Sequence, residues 1–489
     1  MRTLVFSPYL SSLFNAVMLD RLQEEIHAGG AEKLYFLSCF QTFDICAFNK
    51  TSESSNCYYC EANIVNTLKL VEGEYDVLRL AQLITPEDRV TADDFFRNVT
   101  DIRHDLYFET FDVGEAAISP YITRTRDKNL VRENKDTFLR RVSYNSLLVY
   151  LGVKRFLQEH QIEKVIFFNG RLDYTRSVLR ACQALSVDCY LYERVRPGGI
   201  IECFHNVLPH TIEARQALID EAWSDPTVPQ EEKMRIGSNY YERKRKGEVI
   251  IARSFVVAQE KNRLPAGIDF SRKNVVLYNS SDDEIAAVGP MYKNPFFQGQ
   301  EDGTQYVVDF YGKNFPEYNL IIRMHPNLKG LTYHYVEVIR SLHQKYPNIY
   351  VIAPESDVDT YALLDTAWKV ISFGTSMGLE ASFWGKPVVL LAKARYFYAD
   401  VAYVPADRSG VDALLTDDLM PKDKTNAVKF GYYYLNGGTK TRYFFSKGLN
   451  QNYFKGQPMK KFTLKQKLIN RAIKVYTRLT KKKVVIRTF

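Results

Sequence analysis

The stretch VISFGTSMGLEASFWGKPVVLL, residues 370–391, reads as strand, turn, helix, turn and strand in succession. Lys369–Ser372 is short and apolar and suits a buried strand. Met377–Trp384 carries the spacing of a helix, and Pro387–Leu391 is apolar again. Between the first two lies Gly374-Thr375-Ser376. Glycine permits the tight turn and the close approach of a ligand. The hydroxyls of Thr375 and Ser376, with the unpaired N–H groups of a helix start, can hold a phosphate. Glu380, one turn further on, is a carboxylate able to accept from ribose hydroxyls. The same residues equally suit a Ser/Thr cap on an ordinary helix, and this stretch by itself does not separate the two readings.

Working outward, the alternation continues on both sides. Towards the N-terminus of this half, Val275–Tyr278, Leu320–Arg323 and Ile349–Ile352 are strands, and Tyr333–Tyr346 is a helix. The first half shows the same rhythm. Thr3–Ser7, Lys33–Cys39, Lys164–Asn169 and Asp188–Glu193 are strands, and Phe14–Ala28, Leu147–His160 and Tyr174–Leu185 are helices. Alternating strands and helices imply a parallel sheet with right-handed crossovers. Two such halves predict an α/β chain of two Rossmann-like domains facing each other across a cleft, the layout called GT-B, with ligands outside the carboxyl ends of the strands. The expected division is an N-terminal domain over 1–262 with a cysteine loop at 39–60, a linker over 263–273, a C-terminal nucleotide-binding domain over 274–445, and a basic amphipathic helix and tail over 446–489.

The composition is that of a globular protein, with 46% hydrophobic and 25% charged residues. The 33 Tyr and 30 Phe residues suit both a packed core and surfaces for sugars. The net charge of +8 is unevenly spread. Residues 460–489 hold eleven Lys or Arg and no acid, and removing those cations leaves the other 459 residues at −3. A nucleic-acid-binding body would carry its basic residues on a folded face, so no nucleic-acid partner is expected. Leu464, Leu468, Ala472, Val475 and Leu479 share one helical face of this tail. That pattern fits a helix lying on an anionic membrane, and it also fits a helix packed on the N-terminal domain. No stretch is long and apolar enough to span a bilayer. Met1–Leu19 is interrupted by Pro8, Tyr9, Ser11, Ser12 and Asn15, and reads as a first strand and helix rather than a signal peptide. The expectation is a cytoplasmic protein, peripheral on the inner face of the plasma membrane.

Seven cysteines in such a chain are expected to be reduced. Cys39, Cys46, Cys57 and Cys60 cluster, the last two as C-x-x-C, and four thiolates of this kind are a candidate structural zinc site. Their spacing lacks the second short knuckle of the usual pattern, so four small reduced thiols in a loop are the other reading.

Four further strand ends carry polar groups. Arg323-Met324-His325-Pro326 follows a strand, and Arg323 and His325 are candidates to face a donor phosphate, His325 also to protonate it. Ser280 and Ser281 follow Val275–Tyr278. Ser281 with Glu284 fits a capping box, and both serines are also candidates to line the ligand site. In the first half, Asn169-Gly170-Arg171 and Glu193-Arg194 end successive strands. Asn169 and Arg171 are candidates for the acceptor. Asp173 and Glu193 are candidate general bases, with an ion pair to an arginine as the alternative for Glu193. Asp357-x-Asp359 precedes a helix and reads better as a cap than as a metal motif, so no catalytic cofactor is expected.

Over residues 270–400, the Ser280-Ser281, His325-Pro326 and Gly374-Thr375-Ser376 elements resemble those of the capsular and surface-polysaccharide biosynthesis glycosyltransferases of the GT-B class. That group includes Kdo transferases and is more distantly similar to bacterial sialyltransferases and teichoic-acid glycerophosphotransferases. The resemblance implies a nucleotide-sugar-dependent glycosyltransferase. It assigns donor binding to His325, Thr375, Ser376 and Glu380, and favours a CMP-activated Kdo or nonulosonate moved to a surface glycan or a lipid-linked acceptor. A CDP-glycerol-type glycerophosphotransferase would use the same elements. A non-catalytic nucleotide- or sugar-binding module in a capsule assembly complex is the third possibility.

Overall fold

The computed structural model describes residues 1–9, 11–130, 137–250, 254, 256–448, 451–459 and 461–487, with the backbone alone for Arg194, Val195 and Asp282. Two compact units result: Met1–Pro209 with Gly438–Phe489, and His210–Gly437.

The first unit is built on strands β1 (Arg2–Phe6), β2 (Lys33–Ser38), β3 (Asp76–Arg79), β4 (Lys164–Phe168), β5 (Asp188–Arg196) and β6 (Ile200–His205). The second is built on β7 (Asn274–Tyr278), β8 (Asn319–Arg323), β9 (Ile349–Ile352), β10 (Lys369–Ser372) and β11 (Val388–Leu390). The chain then adds β12 (Thr439–Lys440), β13 (Phe444–Ser446), β14 (Asn452–Phe454) and β15 (Gln457–Pro458).

The first sheet runs β12-β6-β5-β4-β1-β2-β3 and the second β11-β10-β7-β8-β9. The strands β1–β5 pair in parallel, as do all five of the second sheet. In both sheets the first strand of the unit lies inside the sheet and the chain leaves it in both directions, which is the Rossmann order. The switch points are β1/β4 and β7/β10. Every residue of β7, β8 and β10 is buried, as a sheet covered on both faces requires.

The expected boundary at 262/263 is corrected. The helices Ile212–Ser224 and Gln230–Arg245 belong to the second unit because they pack against the helix Thr425–Asn436. Their backbones meet so closely that a Cβ on Gly237 would lie 2.3 Å from the Val428 carbonyl, and one on Gly431 would lie 2.2 Å from that of Gly237. The buried Tyr241 hydroxyl adds a 2.5 Å hydrogen bond to the Ala427 carbonyl.

The C-terminal edge also moves. From Gly438 the chain returns to the first unit, where β12 pairs with β6 and β13–β15 form a small antiparallel sheet. Asp20, fully buried in the helix Ser12–Ala28, accepts from the backbone N–H groups of Tyr443 (2.6 Å) and Phe444 (2.9 Å), with Arg21 against its other oxygen. The cysteine loop is half helix, since Cys57 and Cys60 lie in Ser54–Leu68.

Asp20→Ala strands Arg21 and two backbone donors. It should cost about 3–5 kcal/mol in chemical denaturation, with hydrogen exchange accelerated over residues 438–459 ahead of the rest of the unit.

Candidate functional site

The second unit's switch point collects the polar ends of β10, β7 and β8. At β10, Gly374 takes φ +78, and a Cβ there would lie 2.9 Å from the Lys393 carbonyl, so the turn is reserved for glycine. Thr375 caps the helix Ser376–Phe383, its Oγ1 accepting from the Met377 N–H. An accepting hydroxyl keeps its own hydrogen to donate. Tyr396 fixes the turn from behind by donating to the Thr375 carbonyl at 2.5 Å. Tyr396 reaches it past Gly378, where a Cβ would lie 2.3 Å from the phenolic oxygen.

At β8, half-buried His325 caps the short turn Pro326–Leu328, its Nδ1 accepting from the Asn327 N–H at 3.1 Å. With Nδ1 an acceptor, the neutral ring carries its proton on Nε2. His325 and Thr375 thus stand on the strands flanking β7, each with an oriented donor.

Other expected donor-site residues are committed elsewhere. The buried Arg323 guanidinium donates to the carbonyls of Ala353 (2.6 Å) and Ser356 (3.0 Å), tying β8 to the loop after β9. Burial lowers its pKa to about 10. Ser280 is buried, and Gln300 Oε1 receives both its N–H (2.7 Å) and its hydroxyl (3.0 Å). The Ser281 hydroxyl donates to Asp283 Oδ1 at 3.0 Å, and no side-chain capping bond forms. The capping box with Glu284 is therefore absent, because Glu284 accepts instead from Asn327 Nδ2 at 2.5 Å.

Glu380 is 2% exposed. Its Oε1 takes the Lys244 ammonium at 2.5 Å and the Ser376 hydroxyl at 2.9 Å, and its Oε2 takes the Tyr361 hydroxyl. Burial opposes the Lys244 charge, yet Glu380 outweighs it and the ammonium is held well above its ordinary pKa. Burial first, then Glu380, pushes Tyr361 up. Glu380 is thus a buried partner of Lys244 with every oxygen engaged, rather than a carboxylate open to ribose. Ser376 has given its hydrogen to Glu380, so its backbone N–H is what it offers an anion. Sequence reading missed Lys244 and Tyr361: 136 and 19 positions from Glu380, they carry no local signal.

In the first unit, Asn169 (φ +71) ends β4, its Nδ2 donating to Glu193 Oε2 at 2.6 Å and its Oδ1 accepting from the Arg171 N–H at 3.0 Å. Arg171 Nη1 donates to the hydroxyls of Ser119 (2.6 Å) and Thr123 (3.2 Å). Burial lowers its pKa to about 10 despite Glu193. Asn169, Arg171 and half-buried Glu193 therefore come together, while the Arg194 side chain lies outside the described residues.

Asp173 is corrected as a candidate base. It is fully buried at the start of the helix Asp173–Leu185, accepting from the Tyr9 hydroxyl and, at 2.9 Å, from the Ala47 N–H. One oxygen is spent on Tyr9 and the other on the cysteine loop at Ala47. Burial raises its pKa to about 6.

Cys39, Cys46, Cys57 and Cys60 line one small pocket beside Pro8 and Phe48. Burial pushes all four thiols up, Cys39 to about 12. Cys57 donates to the Phe43 carbonyl at 3.7 Å and Cys60 to that of Pro8 at 4.0 Å. Among the described residues no three His, Cys, Asp or Glu are grouped to hold a metal ion, so this arrangement does not fit the expected zinc. Asp359 caps Thr360–Thr366, accepting from the Tyr361 N–H at 2.8 Å, and Asp357 pairs with Arg263 at 2.7 Å.

Residues 289–404, about a quarter of the chain, match the model of a family described as capsule polysaccharide biosynthesis protein. No curated protein matches the chain. Among solved structures it is similar to the beta Kdo 2,4 transferase of Thermosulfurimonas dismutans KpsC, at 11% identity over 64% of this chain and 87% of that one, with a TM-score of 0.37. It is similar too to a putative UDP-N-acetylglucosamine 2-epimerase from Listeria monocytogenes, at 10% identity over 90% and 93% of the two chains, with a TM-score of 0.29. Over residues 289–404 the chain is thus similar to capsule polysaccharide biosynthesis proteins, and the sheet of each unit has the Rossmann order.

Lys244→Met should destabilise by about 3–5 kcal/mol by leaving Glu380 charged and buried. Glu380→Gln added to it should restore part of that loss, a coupling read from a double-mutant cycle of unfolding free energies.

Asp173 supplies a second test. Between its ordinary value of 3.8 and about 6, the folded protein keeps a proton that the unfolded chain has lost, so this group lowers stability as pH rises through that window. In Asp173→Asn that component disappears. The melting temperature, followed from about pH 4 to 6, should fall less with rising pH than in the unsubstituted protein.

Proposed function

We propose that the second unit binds a cytidine-linked donor, CMP-Kdo or a CMP-nonulosonate, and that the protein transfers the sugar to a growing surface glycan or a lipid-linked acceptor on the cytoplasmic side of the membrane. The observation that carries this reading is the pair of oriented donors on the strands flanking β7: the His325 ring, its Nδ1 already accepting, and the Thr375 hydroxyl above the helix start. The match to capsule biosynthesis proteins spans both elements. The choice of cytidine rests on the resemblance to Kdo transferases.

In the transfer, the bond between the sugar's anomeric carbon and the phosphate oxygen breaks, and a new bond forms to an acceptor hydroxyl. Negative charge gathers on the departing phosphate. The Thr375 hydroxyl, the backbone N–H groups at the start of Ser376–Phe383 and His325 Nε2–H supply donors where that charge appears, and His325 can pass a proton to it. Gly374 lets the phosphate come close to the backbone. The acceptor's proton needs a base, and Glu193, oriented by Asn169, is the remaining candidate in the first unit. Asn169 and Arg171 are the candidates to hold the acceptor.

CMP should raise the melting temperature of the purified protein by mass action more than UDP or GDP do. His325→Ala should bind CMP about tenfold more weakly when measured well below the melting transition, since loss of the cap at Asn327 also lowers the ligand-free melting temperature. A shift with UDP or GDP alone would remove the cytidine assignment. No shift with any nucleotide in the folded protein would favour a non-catalytic module.

A further inference from the structure

The C-terminal helix Leu464–Thr480 has two opposed faces, and the structure turns the apolar one outward. The inward face carries the buried Asn470 and Ile473 and lies on the helix Ser54–Leu68. Gln466 and Asn66 exchange side-chain hydrogen bonds of 3.0 and 3.1 Å, and the Phe462 ring stacks on Tyr59 at 4.3 Å. The outward face carries Leu464, Leu468, Val475 and Leu479, which are 74%, 53%, 58% and 77% exposed. At about 100° per residue, these four and Ala472 form one stripe nearly opposite Ile473.

Cations flank the stripe. Lys467, Arg471, Lys474 and Arg478 fall along one edge and Lys465 along the other, all exposed. Lys481, Lys482 and Lys483 follow, and no acid occurs from residue 460 to the end. The helix is fastened at both ends, so the stripe cannot roll inward. A capping box at Thr463 with Gln466 starts it. Beyond it Lys483 pairs with Asp44, the Val484 N–H donates to Ser54 Oγ at 3.1 Å, and Gln41 Nε2 donates to the Ile486 carbonyl at 2.8 Å.

We infer that this outer face docks the protein on an anionic lipid bilayer, with the leucine stripe entering the headgroup–acyl boundary and the flanking lysines and arginines meeting lipid phosphates. Large apolar side chains held out in water favour a partner that covers them. The positive rim, which holds no acid, selects a negatively charged apolar surface, and a bilayer with anionic headgroups supplies both features. Among the described residues no helix is long and apolar enough to cross a membrane, so the contact lies in the interfacial plane. This inference stands apart from the donor assignment and holds whichever nucleotide the second unit takes.

The test is sedimentation of the full chain with phosphatidylcholine vesicles, with and without phosphatidylglycerol, at low and high salt. The protein should pellet with the phosphatidylglycerol vesicles, and less so at high salt. Leu468→Glu with Leu479→Glu should weaken that binding at least tenfold while leaving the melting temperature and the CMP response intact, since neither side chain packs on the fold. No pelleting of the unsubstituted protein would overturn the inference. So would undiminished binding of the double variant, which would mean adsorption by charge alone. Light scattering completes it: a dimer that the double variant converts to monomer would make the stripe a contact between copies of this chain and overturn membrane docking.

Discussion

Both units depend on one constraint, the burial of a parallel sheet on its two faces. A strand covered above and below has no side on which to keep a polar group in water, so β7, β8 and β10 are closed to solvent along their whole length. The chemistry is driven to the carboxyl ends of the strands, where backbone carbonyls run out and helices begin. The Rossmann order then sets which ends come together: β7 between β10 and β8, and β1 between β2 and β4. The turn at Gly374-Thr375-Ser376 and the His325 turn lie where they do because the strands beneath them pair in register, Ile371 with Leu277 and Leu277 with Ile322.

The same burial explains what the polar groups at those ends do. A charge that enters the protein needs a partner of good geometry or it destabilises the fold. Arg323 finds two carbonyls, Asp173 a phenol and a backbone N–H, and Glu380 an ammonium with two hydroxyls. Each of these residues stands at a strand end or in the helix that follows one, where a ligand group would also stand, and each is a brace. Glu380 joins the helix Gln230–Arg245 to the helix that begins at Ser376. Two side chains at these ends are oriented by the backbone itself: His325, whose Nδ1 accepts from the Asn327 N–H, and Thr375, whose Oγ1 accepts from the Met377 N–H.

This division marks how far the sequence was legible. Strand and helix periodicity, the glycine turn at 374 and the His-Pro element were readable because they are local: each depends on neighbours within a few residues. Residue type at a strand end was readable too, but its occupation was not. Lys244 lies 136 residues from Glu380 and Tyr9 lies 164 from Asp173, and no nearby pattern reports such a pairing. The boundary at 262/263 failed for a similar reason. Nothing local in residues 212–245 says which domain they join, and their place in the second unit turns on a crossing at Gly237 and Gly431 that only the folded chain displays. The spacing of the four cysteines left a metal site and four reduced thiols both open, because it does not show that the fold buries them and turns Cys57 and Cys60 to backbone carbonyls.

The C-terminal helix is the complementary case. Its apolar stripe was plain in the sequence, and periodicity normally means that such a stripe turns to the core. Direction is not contained in a period. A helix with one weakly apolar face and one strongly apolar face can present either to the protein, and here the hydrogen bonds of Asn66 and Gln466, the ring of Tyr59 and the small contact at Ile473 decide it. The stronger face is left outside, framed by cations. Buried carboxylates at the strand ends hold the frame, while the leucine stripe, left outward, has work for something beyond the chain.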